Sequence, residues 1–311
     1  MLREAFLYLS DQPAIFRFVR RNPLARRFAN RFVAGESLDT ALQAVRQLNA
    51  KGISATLDLL GESVHNEAEA RASGREYVRM LEEIDRLKLD SNVSLKLTAM
   101  GLDVAEELCV DIVQQILERA RQLGNFVRID MESSEYTDRT LKMFEDRLYP
   151  SYREHVGIVL QSYLYRTQSD VEQANALGAR VRLCKGAYKE PDTVAFPDKA
   201  DVDANFVRCA HLLLCNGNYP GLATHDEAMI RQAIDFARKQ GISADRFEFQ
   251  MLYGIRRDLQ EQLVHDGWRM RVYVPFGTQW YPYLMRRLAE RPANLAFIAG
   301  SVARETLRLK R

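Results

Sequence analysis

Hydrophobic positions follow a helical spacing early in the chain and then change to short strand-like runs. Leu38, Leu42, Val45 and Leu48 recur every three or four residues, and a Lys-Gly pair at 51–52 marks the end of this predicted helix. From residue 53 onward, eight β-like runs alternate with helical stretches or loops, with starts about thirty residues apart, the size of a βα unit. The predicted strands are residues 53–60, 92–97, 126–132, 156–163, 180–185, 221–226, 247–253 and 269–276. Eight successive βα units predict an α/β fold, a (β/α)8 barrel.

The chain length permits either one barrel with an addition or two ordinary domains. A barrel needs about 250 residues, and the chain has 311. No Pro- or Ser-rich linker divides it, so we predict an N-terminal helical arm over residues 1–52 and one barrel domain over 53–311. A doubly wound sheet is the competing fold. It predicts a glycine-rich turn after the first strand, but residues 59–62 read LLGE and no GxGxxG occurs.

Charged residues share one parity in several predicted strands. Arg128, Asp130 and Glu132 alternate with apolar residues, and only one parity faces a barrel interior. By the same rule we expect these side chains to point inward: Asp58, Ser94, Lys96, Gln161, Arg180, Arg182, His225, Glu248, Gln250, Arg271 and Tyr273. Most fall near the carboxyl ends of their predicted strands, where barrel enzymes place their chemistry.

An internal salt-bridge network is an alternative explanation for part of this pattern, because buried polar groups are costly unless they are paired. It explains Arg128 with Glu132, or Asp58 with Arg180, as well as a functional site does. It does not explain a further set that would crowd one rim: Lys96, Asp130, Gln161, Arg182 and His225. We therefore predict a polar site at the barrel mouth.

A basic segment follows the eighth predicted strand. Pro282 suits the first turn of a helix, on which Tyr283 lies three and four residues before Arg286 and Arg287. Glu290 is spaced to form an ion pair with Arg286. Two adjacent arginines can hold a carboxylate through forked hydrogen bonds. The alternative is a solvent-exposed basic turn, but the neighbouring polar rim favours carboxylate binding.

Composition and charge exclude several classes of protein. Hydrophobic residues make up 47% and charged residues 28%, as in folded globular proteins. The net charge of +2 gives no sign of a nucleic-acid binder. No apolar run approaches the roughly 18 residues of a spanning helix. The four cysteines form no CxxC pair and the five histidines no HExxH motif, so we predict no metal site.

The amino-terminal segment is locally basic. No acidic residue lies between Asp11 and Glu36, whereas several arginines occur from Arg17 to Arg31. This segment is either a helix with a solvent-exposed basic face or a patch that contacts anionic lipid or an acidic partner.

Seven short segments, in order along the chain, carry a more specific signal. They are residues 94–98 (SLKLT), 128–132 (RIDME), 161–163 (QSY), 182–188 (RLCKGAY), 223–226 (ATHD), 247–254 (FEFQMLYG) and 283–288 (YLMRRL). Together they resemble the proline dehydrogenase family in its short, monofunctional bacterial form. The resemblance implies a distorted (β/α)8 TIM barrel that holds non-covalent FAD. It also implies oxidation of L-proline to Δ1-pyrroline-5-carboxylate, the first step of proline catabolism to glutamate, with electrons passed to a membrane quinone.

The resemblance also implies roles for single residues. Asp130 and Arg182 match a catalytic pair near the flavin, whereas Glu62 and Glu290 match positions that close the site and steady its arginines. The implied substrate-binding residues are Lys96, Tyr273, Tyr283, Arg286 and Arg287. The implied cofactor-binding residues are Met131, Gln161, Arg182, Lys185, Gly186, Ala187, Tyr188, Thr224, His225, Gln250 and Leu252. A tyrosine at 273 favours proline over hydroxyproline.

The same resemblance sets expectations about partners and location. The chain is too short for a fused second dehydrogenase, so its product would pass to a separate pyrroline-5-carboxylate dehydrogenase. We expect a cytoplasmic enzyme with peripheral contact to the inner face of the cell membrane and no nucleic-acid partner. Two other functions remain open on a barrel fold. One is a Schiff-base lyase that uses Lys96 or Lys185, and the other is a ligand-binding barrel without catalysis.

Overall fold

Eight parallel strands close into a barrel in the computed structural model, which describes residues 30–61 and 64–290. The strands are β1 (Ser54–Leu59), β2 (Ser91–Leu95), β3 (Val127–Ile129), β4 (Val156–Gln161), β5 (Arg180–Cys184), β6 (Gly221–Ala223), β7 (Glu248–Leu252) and β8 (Met270–Phe276). Each strand pairs with the next, and β8 pairs with β1. The predicted (β/α)8 barrel is confirmed, and all eight predicted strands are present, each shorter than predicted.

Helices surround the barrel. They are α1 (Leu38–Asn49), α2 (Glu67–Arg86), α3 (Glu106–Gln122), α4 (Ser134–Met143), α5 (Tyr149–Tyr152), α6 (Thr167–Leu177), α7 (Lys199–Asn216), α8 (Glu227–Lys239), α9 (Arg257–His265) and α10 (Trp280–Glu290), with a 3-10 turn at Thr98–Met100 and a π-helical turn at Phe144–Leu148. In the described ranges, none of these helices combines the length and the hydropathy that a membrane crossing requires.

The predicted helix before the barrel is α1, and it packs on β1 and β8. Its start is fixed by Ser37, whose hydroxyl accepts a hydrogen bond from the Thr40 backbone N–H. The helical spacing of the apolar residues buries Leu38, Leu42 and Val45 against the strands. Residues 1–29 of the predicted arm, with most of its arginines, lie outside the described residues.

The hydrophobic core lies between the strands and the helices. Alternate residues such as Leu57, Leu95 and Ile129 are fully buried on the outer face of the barrel. The polar residues of the other parity fill the interior, as the parity rule predicts. Parity therefore separates the core from the site correctly.

Four of these inward-facing polar residues lie near the amino end of the barrel and not near the mouth. Arg180 and Glu248 are the first residues of their strands, and Arg271 is the second residue of β8. Together with Arg128 they surround a cavity at the amino end of the barrel. The predicted strand bounds agree with this, because they also put Arg180 first and Glu248 second in their strands, outside the set expected near the carboxyl ends.

Glu132 also departs from the parity rule. Because β3 ends at Ile129, the alternation stops before residue 132. The Glu132 carboxylate accepts hydrogen bonds from the Thr98 backbone N–H at 3.2 Å and from its hydroxyl at 2.6 Å. Glu132 therefore fastens the turn after β2 and does not pair with Arg128.

Candidate active site

A cavity of about 710 Å³ opens at the carboxyl end of the barrel. This volume is within the range of small-molecule and cofactor sites, roughly 300–1,000 Å³. Most of the predicted site residues line it: Lys96, Asp130, Met131, Gln161, Arg182, Lys185, Gly186, Ala187, Tyr188, Thr224, His225, Gln250, Leu252, Tyr273 and Tyr283. The barrel thus brings into one place residues that are almost two hundred positions apart in the sequence.

Asp130 lies at the centre of the polar cluster, directly after the end of β3. Its Oδ1 atom accepts hydrogen bonds from the Ser94 hydroxyl at 2.6 Å and from Nη1 of Arg182 at 2.8 Å. Its Oδ2 atom accepts a hydrogen bond from the Tyr273 hydroxyl at 2.8 Å. Three donors from three strands therefore hold this buried carboxylate in one orientation.

Arg182 is held on three sides. Besides its ion pair with Asp130, its Nε atom donates to Oε1 of Gln250 at 2.6 Å. Its guanidinium lies over the ring of Tyr273, 5.3 Å from the ring centre. Only 5% of Arg182 is exposed, so its charge is fixed in place and little screened by water. Gln250, predicted to contact a cofactor, thus also positions Arg182.

The Tyr273 hydroxyl remains a donor over a wide pH range. Burial, and then the nearby charge of Asp130, raise the pKa of Tyr273 well above its usual value of 10.0. Its proton therefore stays on the hydroxyl and points to Asp130.

Lys96 stands at the same mouth beside a buried carboxylate. Its Nζ atom is 3.8 Å from Oδ2 of Asp58, which is 1% exposed. The hydroxyl of Tyr77 donates to Oδ1 of Asp58 at 3.4 Å. Asp58 thus holds the Lys96 ammonium at the mouth, where a substrate anion could reach it.

Sequence reasoning missed Tyr77. It lies on α2, and its helical spacing shows only that it faces the barrel. Burial raises its pKa well above 10.0, with Asp58 adding to the effect, so Tyr77 remains a donor. Tyrosines on buried helix faces are usual in hydrophobic cores. The sequence therefore does not distinguish a core tyrosine from one that donates to a site carboxylate.

Lys185 contributes a further cation to the lining of the cavity. Its Nζ atom is 2.7 Å from Oδ1 of Asp203 on α7 and 3.4 Å from Oδ2 of Asp226 after β6. Next to Asp226, Nε2 of His225 accepts a hydrogen bond from the backbone N–H of Leu252 at 2.9 Å. Asp203 was not predicted, because a single acidic residue on a surface-type helix carries no signal.

Gly186 allows the loop after β5 to pack closely against Tyr163. Its φ is +109°, and a Cβ atom there would lie 2.4 Å from the Tyr163 ring. Glu190 then fastens this loop: its Oε1 atom accepts hydrogen bonds from the Ser134 N–H at 2.8 Å and from the Tyr163 hydroxyl at 3.1 Å. The loop carrying Lys185 and Gly186 is therefore held over the cavity.

Four predicted site residues lie partly or wholly outside the described part of the structure. The backbone of Arg286, Arg287 and Glu290 belongs to α10, but their side chains lie outside the described part of the structure. Glu62 lies outside the described residues altogether. Tyr283, on the same helix, is buried and lines the cavity, so α10 passes the mouth.

The lining of the cavity suits a flavin dinucleotide. An isoalloxazine ring needs apolar walls together with a few polar contacts, and the diphosphate needs a cation. Met131, Ala187 and Leu252 supply apolar surface, and Gln161 and Lys185 supply polar and cationic groups. The Gln161 amide is already oriented by donating to the Glu132 carbonyl at 2.8 Å. These residues fit such a group.

Comparisons with known proteins agree over nearly the whole chain. A family model described as proline dehydrogenase matches residues 41–300. Proline dehydrogenase 1 of Bacillus subtilis (strain 168) is 42% identical over 305 residues, covering 98% of this chain and 100% of that protein. Proline dehydrogenase of Deinococcus radiodurans is 42% identical over 301 residues, covering 96% of each.

A solved structure shares the same architecture. Proline utilization A from Bdellovibrio bacteriovorus, inactivated by N-propargylglycine, superposes with a TM-score of 0.81 at 28% identity. The match covers 90% of this chain and 34% of that longer chain.

Proposed function

This chain belongs to the proline dehydrogenase family, and on that basis we propose that it oxidises L-proline to Δ1-pyrroline-5-carboxylate with FAD as cofactor. The reaction is the first step of proline catabolism to glutamate. The observation that carries the proposal is the buried cluster of Asp130, Arg182 and Tyr273 at the barrel mouth, with Lys96 beside it. It combines a fixed charge for chemistry with a cation at the entrance for the carboxylate of an amino acid.

Substrate binding is proposed to begin at the carboxylate. Lys96, together with Arg286 and Arg287 of α10, would hold this group, and three cations around one anion fix its orientation. The rings of Tyr273 and Tyr283 would form the walls around the proline ring. Proline binds as the free amine, because a protonated nitrogen cannot support the loss of hydride from the neighbouring carbon.

Arg182 and Asp130 are the proposed catalytic pair. When bound, FAD supplies the hydride acceptor at its N5 atom. Arg182 would present a preorganised cation to negative charge on the bound cofactor, and it would need no reorganisation because Asp130 and Gln250 already hold it. Asp130 itself keeps Arg182 in position and compensates its charge in the buried site.

The proposed flavin-binding residues come from neighbouring strand ends and the loop after β5. They are Met131, Gln161, Arg182, Lys185, Gly186, Ala187, Tyr188, Thr224, His225, Gln250 and Leu252. Glu62 is proposed to close the mouth by pairing with Arg286. Glu290 is proposed to hold the arginines of α10 in position. Closing the site keeps water away and strengthens the electrostatic contacts within it.

Electrons are proposed to leave the enzyme for a membrane quinone. The basic segment from Arg17 to Arg31 is the proposed contact with the inner face of the cell membrane. The product would pass to a separate pyrroline-5-carboxylate dehydrogenase. Flotation with anionic liposomes tests the membrane contact: binding at low salt that disappears at high salt supports it, and no binding at low salt contradicts it.

A Schiff-base lyase is the second candidate, and the geometry favours it less. To act as a nucleophile, the Lys185 amine would have to give up its contacts with both Asp203 and Asp226. Lys96 likewise stands beside the carboxylate of Asp58. Treatment with borohydride in the presence of a carbonyl substrate would trap a lyase covalently and leave a proline dehydrogenase unmodified.

The deciding experiment is a visible spectrum before and after anaerobic addition of proline. We expect a yellow protein whose flavin absorption bleaches with proline. A protein that lacks flavin, and that shows no proline-dependent dye reduction after FAD is added, contradicts the proposal. Proline binding without any dye reduction would instead identify a non-catalytic barrel.

A further inference from the structure

A second cavity, of about 460 Å³, lies at the amino end of the barrel, at the opposite end from the mouth. Arg128 of β3, Arg180 of β5 and Arg271 of β8 face it, and Lys88 stands at its edge. The cavity takes no part in the proposed reaction. Its arginines are the inward-facing arginines near the starts of their strands.

The carboxylates around this cavity are already engaged by other groups. Glu248 accepts hydrogen bonds at Oε1 from Arg271 at 2.7 Å and from Gln250 at 2.6 Å. Asp90 accepts the Ser54 hydroxyl at 2.6 Å, and Asp85 pairs with Lys88 at 2.8 Å. None of these acids forms an ion pair with Arg128 or Arg180.

Arg128 and Arg180 retain unused donors. Arg128 is 3% exposed and gives Nη1 to the backbone carbonyls of Ile158 at 3.2 Å and Arg180 at 2.6 Å. The Nε atoms of both arginines are buried and, among the described residues, have no hydrogen-bond partner. These Nε atoms are too enclosed for a ligand in the cavity to reach. Among the described residues, however, Nη2 of Arg128 and both Nη atoms of Arg180 also have no hydrogen-bond acceptor, and these outer atoms remain available to a ligand.

Aromatic rings fix both guanidinium groups beside the cavity. Arg180 lies between the rings of Phe126 and Tyr219, 5.4 and 5.5 Å from their centres, and Arg128 lies 4.8 Å from the centre of Phe126. Burial, and then the charge of Arg182, lower the pKa of Arg128 well below its usual value. The lining of the cavity holds four basic side chains against three acidic ones, an excess of one positive charge.

We propose that this cavity binds an oxyanion of the phosphate class, either free phosphate or the phosphate group of a small molecule. Nη2 of Arg128 and the Nη atoms of Arg180 would donate to it, and guanidinium N–H groups match the spacing of oxyanion oxygens. Lys88 at the edge adds a flexible cation. The bound anion would compensate the charge of the buried Arg128 and of the partly buried Arg180.

Binding at this end is separate from the barrel mouth. Arg180 and Arg182 point inward from the same strand, two residues apart, and Arg182 belongs to the mouth. Two residues of a strand span about 6.6 Å, and the side chain of Gln250 lies between Arg182 of the mouth and Glu248 of the amino-end cavity. Neither proline nor FAD should therefore displace an anion from the amino-end cavity.

The first test uses the unaltered protein as purified, with its flavin. Inorganic phosphate is titrated by calorimetry and thermal unfolding, with sodium chloride at matched ionic strength in parallel. We expect a saturable rise of Tm in phosphate that chloride does not reproduce and that added proline or FAD leaves unchanged. An equal effect of chloride overturns the proposal, as does displacement of phosphate by proline or FAD.

The second test distinguishes the proposed residues from basic residues in general. Arg180→Gln should weaken phosphate binding at least tenfold, whereas Arg238→Gln should leave it unchanged. Arg238 is a matched control because it also stacks on an aromatic ring, Trp268 at 5.8 Å, but does not line the cavity. Full phosphate affinity in a folded Arg180→Gln protein overturns the proposal. If that variant does not fold, the titration of the unaltered protein decides alone.

A free anion and a phosphorylated small molecule are separated by a third measurement. Mass spectrometry of the protein purified in phosphate-free buffer and denatured would reveal an organic phosphate carried through purification. Recovery of such a compound assigns the site to it, and recovery of inorganic phosphate assigns the site to the free ion. If neither is recovered, saturable phosphate binding in the first test still supports the site.

Discussion

The Tyr273 hydroxyl donates a 2.8 Å hydrogen bond to Oδ2 of Asp130, joining the eighth strand to the end of the third across the barrel mouth. The ring of the same tyrosine lies beneath the Arg182 guanidinium. Tyr273 therefore supports both members of the proposed catalytic pair with different parts of its side chain. The two contributions can be separated by mutation.

Tyr273→Phe removes the hydroxyl and keeps the ring under Arg182. Because Asp130 keeps its bonds to Ser94 and Arg182, we expect kcat/KM for proline to fall by about tenfold, the effect of one hydrogen bond to a charged group. Steady-state kinetics with a dye acceptor measure it. The matched control is Tyr136→Phe, which loses an exposed 2.8 Å bond to Asp103 and should leave kcat/KM unchanged. Equal losses in the two variants would contradict the role assigned to Tyr273.

Arg182→Lys keeps a positive charge but cannot reach Asp130 and Gln250 at once. We expect kcat to fall on the order of a hundredfold, the usual effect of removing one preorganised donor from a developing charge. The protein should remain folded and yellow, since the flavin has other contacts. Arg166→Lys, which alters an arginine paired with Asp170 in α6, serves as the control and should retain kcat. A fully active Arg182→Lys enzyme would remove Arg182 from the mechanism.

Lys185→Met tests whether the Lys185 cation binds the flavin. It removes a group proposed to bind the flavin and leaves Asp203 and Asp226 facing one another. We expect the Kd for FAD, measured by fluorescence quenching, to rise at least about tenfold, as expected for one charge-assisted contact. Lys51→Met is the control, because Lys51 forms a 2.6 Å pair with Glu261 far from the cavity. Unchanged FAD affinity in Lys185→Met would contradict this assignment.

Glu248 makes the free energy of unfolding depend on pH in the acidic range. Burial alone would raise its pKa, but the charge and hydrogen bond of Arg271 outweigh burial and hold it below the ordinary 4.5. Because the folded pKa is below the unfolded one, Glu248 contributes stability above pH 4.5. That contribution is lost as the pH falls from there through the folded pKa. Urea unfolding across pH 3–7 measures this loss.

Glu248→Gln should flatten that part of the pH profile. At pH 7 the variant should be less stable by about 3–5 kcal/mol, because Arg271 loses its buried counter-charge. Glu107→Gln is the comparison, since the pKa of Glu107 is lowered by Arg147 on the exposed surface, where the pair contributes little. If both variants keep the acid dependence of the parent, another group is responsible.

The barrel itself could be predicted from the sequence because its strands repeat one simple pattern. Alternation in β3 showed that Arg128 and Asp130 share an interior face, and the structure confirms it. The same rule could not place Arg128 near one end and Asp130 near the other. That depends on the stagger between strands, which is a property of the closed barrel and not of any one segment.

Contacts between distant elements could also not be predicted from the sequence. Lys185 was predicted to line the site, but its partner Asp203 lies on a helix eighteen residues later, where spacing gives no information. Glu190 likewise follows no motif, although it fastens the loop after β5 to Ser134. Residues that hold a loop in place are selected by tertiary geometry, which local patterns do not contain.

Gln250 links the polar residues of the mouth to those of the amino-end cavity through one acceptor and one donor. Its carbonyl oxygen accepts from Arg182, and its amide nitrogen donates to Glu248. An amide has no proton to release in the physiological range, so the row of hydrogen bonds that runs from Tyr273 to Arg271 is not a route for protons. Protons therefore do not pass between the mouth and the amino-end cavity along this row, whereas charge is still felt across it, since Arg182 lowers the pKa of Arg128.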